Sequence, residues 1–183
     1  MIGAELSASV ADQEIIEFDK CGVRAVRFNI KRGGSEQLDQ LSVMAKRVYE
    51  IAAWHIELYI DSSALTDLLS TLLELPAVSI DHLGLSHSGF AALLTLAEQG
   101  VRVKATGFSR VDFDIQQALK DLYSANPDAL MFGTDLPSTR APSPYQDTDR
   151  MLLIDTLANI EDLAVEKVLS QNAIDFYRPT STV

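Results

Sequence analysis

Side chains that could act as bases or ligands recur at one kind of place in this sequence, directly after short apolar runs. Asp81 and His82 follow one such run, and Asp135 follows Gly133-Thr134 at the end of another. An Asp beside a His, and a lone Asp after a turn, are residue types that ligate metals or take a proton from water. Either chemistry is hydrolytic, although the same short strings also serve as helix caps and turns.

Arginine is the second chemical signal, because the chain is otherwise acidic. Its 183 residues include 15 Lys and Arg against 26 Asp and Glu, for a net charge of −11. Arg27, Arg32 and Arg110 lie near the ends of apolar runs, where guanidinium groups could bind a carboxylate through two hydrogen bonds. They predict a small anionic substrate. The alternative is that each arginine is solvated and paired with one of the many carboxylates.

Composition argues against several other partners. The net charge of −11 is unsuited to nucleic acids and anionic membranes, which bind through clustered Lys and Arg. No apolar run approaches the ~18 residues that cross a bilayer, and the first residues do not resemble a secretory signal. We therefore expect a cytoplasmic protein. Cys21 is the only cysteine, which excludes an intrachain disulfide, and we expect it to be a small buried hydrophobe.

Six short apolar runs, each followed by a segment of helical spacing, must position these side chains. The runs are IGAEL (2–6), VRAVRFNI (23–30), HIELYI (55–60), AVSID (77–81), VRVKAT (101–106) and LMFGTD (130–135). Alternating strands and helices predict a parallel sheet with right-handed crossovers, either an open doubly wound sheet or a TIM barrel. No Gly-x-Gly-x-x-Gly loop follows a strand, so little favours a dinucleotide fold.

Alternation within the strands favours the barrel. Glu57, Tyr59 and Asp61 share one face of the third run, and Lys104 and Thr106 share one face of the fifth. A sheet covered by helices on both faces would be apolar on both. One polar face per strand therefore predicts a barrel interior that is polar at one end, and edge strands with a solvated face are the alternative. In a barrel the candidate residues would meet at the carboxyl ends of the strands.

The three histidines have different expected places. His82 has the outward parity of its strand, so a turn at Leu83-Gly84 would have to redirect its side chain into the barrel mouth. His55 begins a strand, at the end opposite to catalysis in a parallel barrel. His87 begins a helix. We expect His55 and His87 to be structural or surface residues.

The spacing of the units limits their number. The strand ends near positions 5 and 135 are five units apart, which gives (135 − 5)/5 = 26 residues per unit, and eight such units would need roughly 208 residues. The predicted fold class is therefore α/β, a (β/α)8 TIM-barrel type truncated to the last six βα units, in one domain over residues 1–183. A final helical segment, roughly 165–177, follows the sixth unit. Because such an arc has two unpaired edges, we expect a homodimer or higher oligomer.

Six segments together resemble the amidohydrolase-related family of TIM-barrel metal-dependent hydrolases, and most of all its 2-pyrone-4,6-dicarboxylate lactonase branch. They are GVRAVRFN (22–29), HIELYID (55–61), IDHLG (80–84), KATGFSR (104–110), MFGTDLPSTRAP (131–142) and QNAIDFYR (171–178). The resemblance runs in order across almost the whole chain. Family members begin with a strand bearing a His-x-His pair, which this sequence lacks, and its Met1-Ile2-Gly3 aligns with the family's third strand.

The resemblance implies roles for six residues. Asp135 would activate water, and His82 would lie beside the scissile carbonyl or ligate a metal. Arg27 and Arg110 would bind substrate carboxylates, together with Arg32 and Tyr59. A zinc or manganese ion is possible, with His82 and Asp135 as candidate ligands, but that ligand set is incomplete and the lactonase branch is reported to work without a divalent metal. The family's usual Pro-His pair after Gly-Thr-Asp is replaced by Leu136-Pro137-Ser138.

Two hypotheses of function follow. The first is a hydrolase of a small carboxylate-bearing lactone, ester or amide, in which arginines bind the anion and Asp135 activates water. The second is a catalytically incomplete barrel remnant or fragment that at most binds a small anion. Activity under the first hypothesis would depend on the missing N-terminal strands being supplied.

Overall fold

The computed structural model describes residues 2–33 and 38–178 of the chain. Strands and helices alternate, as predicted. The strands are β1 (Ile2–Ala4), β2 (Val23–Phe28), β3 (His55–Leu58), β4 (Val78–Ile80), β5 (Arg102–Ala105) and β6 (Leu130–Phe132). The helices are α1 (Asp12–Lys20), α2 (Leu41–Ala52), α3 (Leu65–Leu73), α4 (Phe90–Glu98), α5 (Ile115–Ala125), α6 (Asp147–Ala158), α7 (Ala164–Glu166) and α8 (Asn172–Tyr177).

All six strands are parallel and lie in sequence order, β1 to β6. A doubly wound sheet reverses its strand order at a switch point, whereas a barrel adds each new strand on the same side. The sequential order therefore confirms the barrel-type prediction for six βα units.

The apolar core lies between the sheet and the helices that surround it. Ile56, Leu58 and Ile60 are fully buried on the outward face of β3 and its extension, in the same core cluster as the buried residues of α2 and α3. Polar and charged side chains occupy the opposite face of the same strand. The alternation of the sequence thus separates an outer apolar layer from a polar interior, as the one-sided polarity predicts.

The strands are shorter at their carboxyl ends than the apolar runs suggest. One-turn 3₁₀ helices follow directly in several places, among them Ile30–Arg32, Ser62–Ala64, His82–Gly84 and Phe108–Arg110. Asp61 caps one of these turns by accepting a hydrogen bond of 3.1 Å from the amide of Ser63. These turns redirect the chain where the candidate residues lie, so strand parity no longer fixes where their side chains point.

The C-terminal helical segment is present but irregular. It begins with α7, continues as a π-helical turn over Lys167–Gln171 and ends with α8. The Asn172 side chain donates hydrogen bonds of 2.9 Å and 2.8 Å to the carbonyls of Pro127 and Leu130, which anchors the segment to the start of β6. A π turn shifts the register of the following helix by one residue.

Aromatic packing at the start of β3 explains the place of His55. Its ring lies 4.4 Å from that of Phe176 and 4.9 Å from that of Tyr177. Burial lowers the pKa of His55 to about 3, so the ring is neutral at pH 7. His55 is therefore a packed residue at the amino end of the sheet. His87 lies in the turn before α4, beside Phe90 and Phe113.

The expectation of a buried Cys21 is wrong. The thiol is exposed, because Cys21 is the C-cap residue of α1 and begins the turn into β2, beyond the helix face that packs on the sheet. No helix within residues 2–33 and 38–178 is both long and apolar enough to cross a bilayer.

Each outer strand of the described sheet pairs on one side only, β1 with β2 and β6 with β5. Helices beside these edges carry exposed apolar residues, Ile16 and Phe18 on α1 and Met151 on α6. Unpaired edges and exposed apolar side chains favour association. We therefore predict that the purified chain forms a dimer or a larger species, measured by light scattering coupled to size exclusion at micromolar concentration. A monodisperse monomer with one cooperative thermal transition would contradict this expectation.

Two glycines with the same backbone angle allow a matched test of packing. Gly89 and Gly100 both have φ of 95°, but a Cβ on Gly89 would lie 2.0 Å from the carbonyl oxygen of Ser62, whereas Gly100 faces open space. We expect Gly89→Ala to lower the free energy of unfolding by about 3 kcal/mol or more, and Gly100→Ala by about 1 kcal/mol, the cost of the left-handed backbone alone. Urea denaturation of both variants measures the difference, and equal losses would show that this loop can relax.

Candidate active site

One pocket of about 240 Å³ at the carboxyl ends of the strands brings together the six predicted site residues. They come from five βα units and are Arg27, Arg32, Tyr59, His82, Arg110 and Asp135. Asn29, Leu136, Pro137 and Thr139 complete the lining. Active sites of parallel barrels form at this end because the loops that follow the strands converge there.

His82 points into this pocket because its backbone is in the left-handed region, with φ of 51°. Its Nδ1 lies 2.8 Å from the Thr106 hydroxyl, and its Nε2 lies 3.9 Å from Oδ1 of Asp135. Gly107 makes room for the ring, since a Cβ there would lie 2.8 Å from Nδ1. The predicted redirection of His82 is therefore present, but it begins at His82 itself.

The His82 imidazole is neutral at pH 7. Burial lowers its pKa, and the cations Arg110 and Arg27 act in the same direction. The carboxylates Asp81 and Asp135 oppose this shift without outweighing it. A neutral imidazole carries one N–H and one lone pair, so it can donate a hydrogen bond from one nitrogen and accept at the other.

Asp135 is held by Arg110. Arg110 Nε and Nη2 lie 2.9 Å and 2.8 Å from Oδ2 of Asp135, and Nη2 also donates to the carbonyl of Thr139 at 3.0 Å. The backbone of Asp135 is left-handed, with φ of 57°. The two carboxylate oxygens therefore have different surroundings: Oδ2 faces the guanidinium and Oδ1 faces His82.

Tyr59 forms the aromatic wall of the pocket. The guanidinium carbons of Arg32 and Arg27 lie 5.1 Å and 5.7 Å from its ring centroid, and the ring meets that of His82 edge-on at 5.5 Å. Arg32 Nη2 is also 3.4 Å from the Tyr59 hydroxyl. Cation–π contacts of this kind stabilise arginine side chains against an aromatic face.

Behind the pocket lies a closed ring of four charges, which we call the charge ring: Arg27, Glu57, Lys104 and Asp81. Arg27 Nη1 pairs with Oε1 of Glu57, and its Nη2 lies 2.5 Å from Oδ2 of Asp81. Lys104 Nζ pairs with the other oxygen of Glu57 and lies 3.1 Å from Oδ1 of Asp81. Each carboxylate thus gives one oxygen to each cation.

Burial and pairing together fix the protonation of the charge ring. Glu57 is 5% exposed and Asp81 is 2% exposed. Burial alone would raise the pKa of Asp81, but attraction to Lys104 and Arg27 lowers it. Burial alone would lower the pKa values of Arg27 and Lys104, but attraction to Asp81 and Glu57 raises both. Asp81, Arg27 and Lys104 are consequently charged at neutral pH.

The sequence places Lys104 at the carboxyl end of its strand, but it assigns no role in the site to Lys104 or to Glu57. The alternation of β3 and β5 places both on the polar interior face, but their contact depends on the relative heights of two strands that are not neighbours. Glu57 pairs in register with Ser79, and Ser79 pairs with Arg102. Glu57 therefore lies two residues closer to the amino end of the sheet than Lys104. The long lysine side chain spans that step.

The described residues do not fit a divalent metal site. Among residues 2–33 and 38–178, no three His, Cys, Asp or Glu side chains lie close enough together to hold an ion. The interior carboxylates of Glu57 and Asp81 are already bound by cations. Among the described residues that line the pocket, His82 and Asp135 are left as candidate ligands, whereas catalytic zinc usually has three protein ligands.

We therefore predict a metal content well below one ion per chain for protein purified without chelator. Elemental analysis by mass spectrometry measures it, with a buffer blank as the control. Zinc or manganese at one equivalent, retained through gel filtration, would mean that other residues supply ligands.

The fold and the pocket define a TIM-barrel-type scaffold of six βα units, with a polar pocket at the carboxyl ends of the strands. The family model named Amidohydrolase matches residues 5–178, and the chain belongs to this family.

One curated protein and two solved structures are similar to this chain, and the two structures share its fold. A curated relative, the 2-pyrone-4,6-dicarboxylate hydrolase of Comamonas testosteroni, is 27% identical over an alignment of 205 positions that covers 96% of this chain. The chain spans 66% of that relative's length. A crystal structure from Acinetobacter baumannii, described as a probable 2-pyrone-4,6-dicarboxylic acid hydrolase with citric acid bound, has a TM-score of 0.80 and 20% sequence identity to this chain. The match covers 96% of this chain and 72% of the Acinetobacter chain. An apo structure from Agrobacterium tumefaciens has a TM-score of 0.76 and 22% sequence identity to this chain. That match covers 97% of this chain and 68% of the Agrobacterium chain.

Proposed function

We propose that this chain hydrolyses a small carboxylate-bearing lactone, or a related ester or amide, in the pocket at the carboxyl ends of the strands. One arrangement of side chains supports the proposal. Asp135 Oδ1 and His82 Nε2 lie 3.9 Å apart, and both residues line the same pocket as Arg27, Arg32 and Arg110. An acid–base pair beside an anion-binding group is what hydrolysis of an anionic ester requires.

The arginines supply the binding step. Arg27 and Arg110 contact the substrate carboxylate, Arg32 adds a third cation, and Tyr59 packs against the flat face of the substrate. Charge-assisted hydrogen bonds from guanidinium to carboxylate are directional, so they orient the substrate as well as bind it. In this arrangement the scissile carbonyl lies above the His82–Asp135 pair, with its oxygen beside His82 Nε2 and its carbon facing the water that Asp135 activates.

The chemical step uses Asp135 as the general base. Its Oδ1 takes a proton from water, and the water oxygen attacks the carbonyl carbon. With Nδ1 accepting from the Thr106 hydroxyl, the Nε2–H of neutral His82 donates to the carbonyl oxygen as negative charge develops there. The bond from the carbonyl carbon to the ring oxygen then breaks, and the proton passes from Asp135 to the departing oxygen.

Two of the similar proteins support this choice of substrate class. The name of the Comamonas relative describes a lactone that bears two carboxylates, and the Acinetobacter structure holds citric acid, a tricarboxylate. Both are small and anionic, as three lining arginines would require. We also propose that residues 1–183 work as one domain, since the site draws on five of the six βα units.

A matched pair of lactones tests the proposal. We expect kcat/KM for 2-pyrone-4,6-dicarboxylate to exceed that for unsubstituted 2-pyrone by at least about 100-fold, because two hydrogen bonds to charged groups contribute roughly 1.5–3 kcal/mol each. Ring opening is followed by the loss of ultraviolet absorbance. Equal turnover of the two compounds would contradict the role of the arginines.

A second function has one observation in its favour. The sequence has three histidines, at 55, 82 and 87, and so no His-x-His pair, and only His82 lies in the pocket. A binding protein for small carboxylates needs the arginines without further histidines. Calorimetric binding of 2-pyrone-4,6-dicarboxylate with no turnover, even at high enzyme concentration, would favour this function over hydrolysis.

A further inference from the structure

The charge ring contains a lysine that the proposed hydrolysis does not use. Lys104 Nζ contacts Glu57 and lies 3.1 Å from Asp81, and its side chain is 16% exposed. It faces the inner part of the barrel, beside Tyr177 and Thr106. Burying an ammonium group is costly unless carboxylates surround it. The buried position of Lys104 therefore indicates a specific role for its charge.

The charges around Arg27 supply that reason. Two buried carboxylates, Glu57 and Asp81, both touch its guanidinium. Without another cation, the group of three would carry a net charge of −1 and would repel an incoming anion. Lys104 brings the ring to two positive and two negative charges. Lys104 contacts the other oxygen of each carboxylate, so it offsets their charge. It lines an inner cavity that shares Arg27, His82 and Asp135 with the pocket, but it does not line the pocket itself.

We propose that Lys104 is a positioning and charge-balancing residue, which neutralises the buried carboxylates so that Arg27 acts as a cation toward a substrate carboxylate. This inference rests on the proposed function, because it concerns the anion that the same pocket binds. It adds two residues, Lys104 and Glu57, whose effect on binding is transmitted through Arg27 and the local electrostatic potential.

Removing the positive charge of Lys104 and removing the negative charge of Glu57 should change the Kd of an anionic ligand in opposite directions. Lys104→Met should raise the Kd of 2-pyrone-4,6-dicarboxylate roughly five- to thirtyfold, as expected for one unit charge acting over about 8 Å at an effective dielectric constant of about 20–40. Glu57→Gln removes a negative charge from the same ring, so it should leave the ligand at least as tightly bound as in the unsubstituted chain. The double variant, Glu57→Gln with Lys104→Met, should recover most of the lost affinity.

A purely structural role for Lys104 predicts a different pattern. Loss of packing or of an ion pair would weaken binding in Lys104→Met and in Glu57→Gln alike, and the double variant would be no better than the worse single variant. Lys104→Arg keeps the charge and should hold Kd within about threefold. Lys167→Met is the matched control, because Lys167 pairs with Asp128 at 2.7 Å but does not line the pocket.

Titration calorimetry with 2-pyrone-4,6-dicarboxylate measures Kd for all six proteins, each checked for folding by thermal denaturation. A raised Kd in Lys104→Met with recovery in the double variant supports the proposal. Unchanged Kd in Lys104→Met, with binding by the unsubstituted chain intact, overturns it and leaves the proposed function standing. Absence of binding by the unsubstituted chain overturns both. If Lys104→Met does not fold, the proposal still requires tighter binding by Glu57→Gln than by the double variant.

Discussion

Asp135→Asn is expected to abolish hydrolysis while leaving the fold intact. The amide has the shape of the carboxylate and can still accept a hydrogen bond from Arg110, but it cannot accept a proton from water. Loss of the general base should lower kcat by about 10³-fold or more, with little change in KM. Turnover of 2-pyrone-4,6-dicarboxylate and a thermal melt of the same preparation measure the two properties.

Asp128→Asn is the matched control for this experiment. Asp128 also pairs with a cation, Lys167, but it lies outside the pocket, so its substitution should leave kcat and KM unchanged. Normal turnover by Asp135→Asn would remove Asp135 from the mechanism. Equal loss of turnover in the two variants would point to a general effect on the fold.

Arg110→Met is expected to raise KM for the dicarboxylate by about 100-fold. The substitution removes a guanidinium that is 8% exposed in its side chain and that contacts both Asp135 and the proposed substrate carboxylate, and charge-assisted contacts of this kind contribute roughly 1.5–3 kcal/mol each. Arg110→Lys should give an intermediate value, because lysine keeps the charge but not the planar fork. The kinetics of both variants, measured with 2-pyrone-4,6-dicarboxylate, give the KM values.

A second arginine provides the control. Arg24 pairs with Asp19 at 2.9 Å and does not line the pocket, so Arg24→Met should leave KM unchanged. An unaltered KM in Arg110→Met would show that the substrate carboxylate binds elsewhere. The unfolding free energy of Arg110→Met should fall by roughly 1.5–3 kcal/mol, because Asp135 loses a mostly buried cation that holds its carboxylate.

The general plan of this protein follows from local patterns in its sequence. Apolar runs separated by helical spacing predict six strands, and the one-sided polarity of β3 and β5 predicts a barrel-type sheet with a polar interior. Both predictions are confirmed, because periodicity depends only on which face of an element meets the core. The family resemblance drew attention to six residues that the structure brings into one pocket.

Features that depend on backbone turns or on distant strands were not predictable in the same way. His82 reaches the pocket through a left-handed backbone angle, which no residue type in that segment demands. The charge ring joins β2, β3, β5 and the residue after β4, and its pairings depend on strand register and side-chain length. Cys21 is exposed because it caps a helix, so its apolar character did not determine its place.

A crystal structure of Asp135→Asn soaked with 2-pyrone-4,6-dicarboxylate tests the central claim most directly. The substitution prevents turnover, so an intact ligand can accumulate. We expect one carboxylate to contact Arg27 or Arg110 within about 3 Å and the lactone carbonyl to lie beside His82 Nε2. A ligand bound outside this pocket, or one whose carboxylates point away from the arginines, would contradict it.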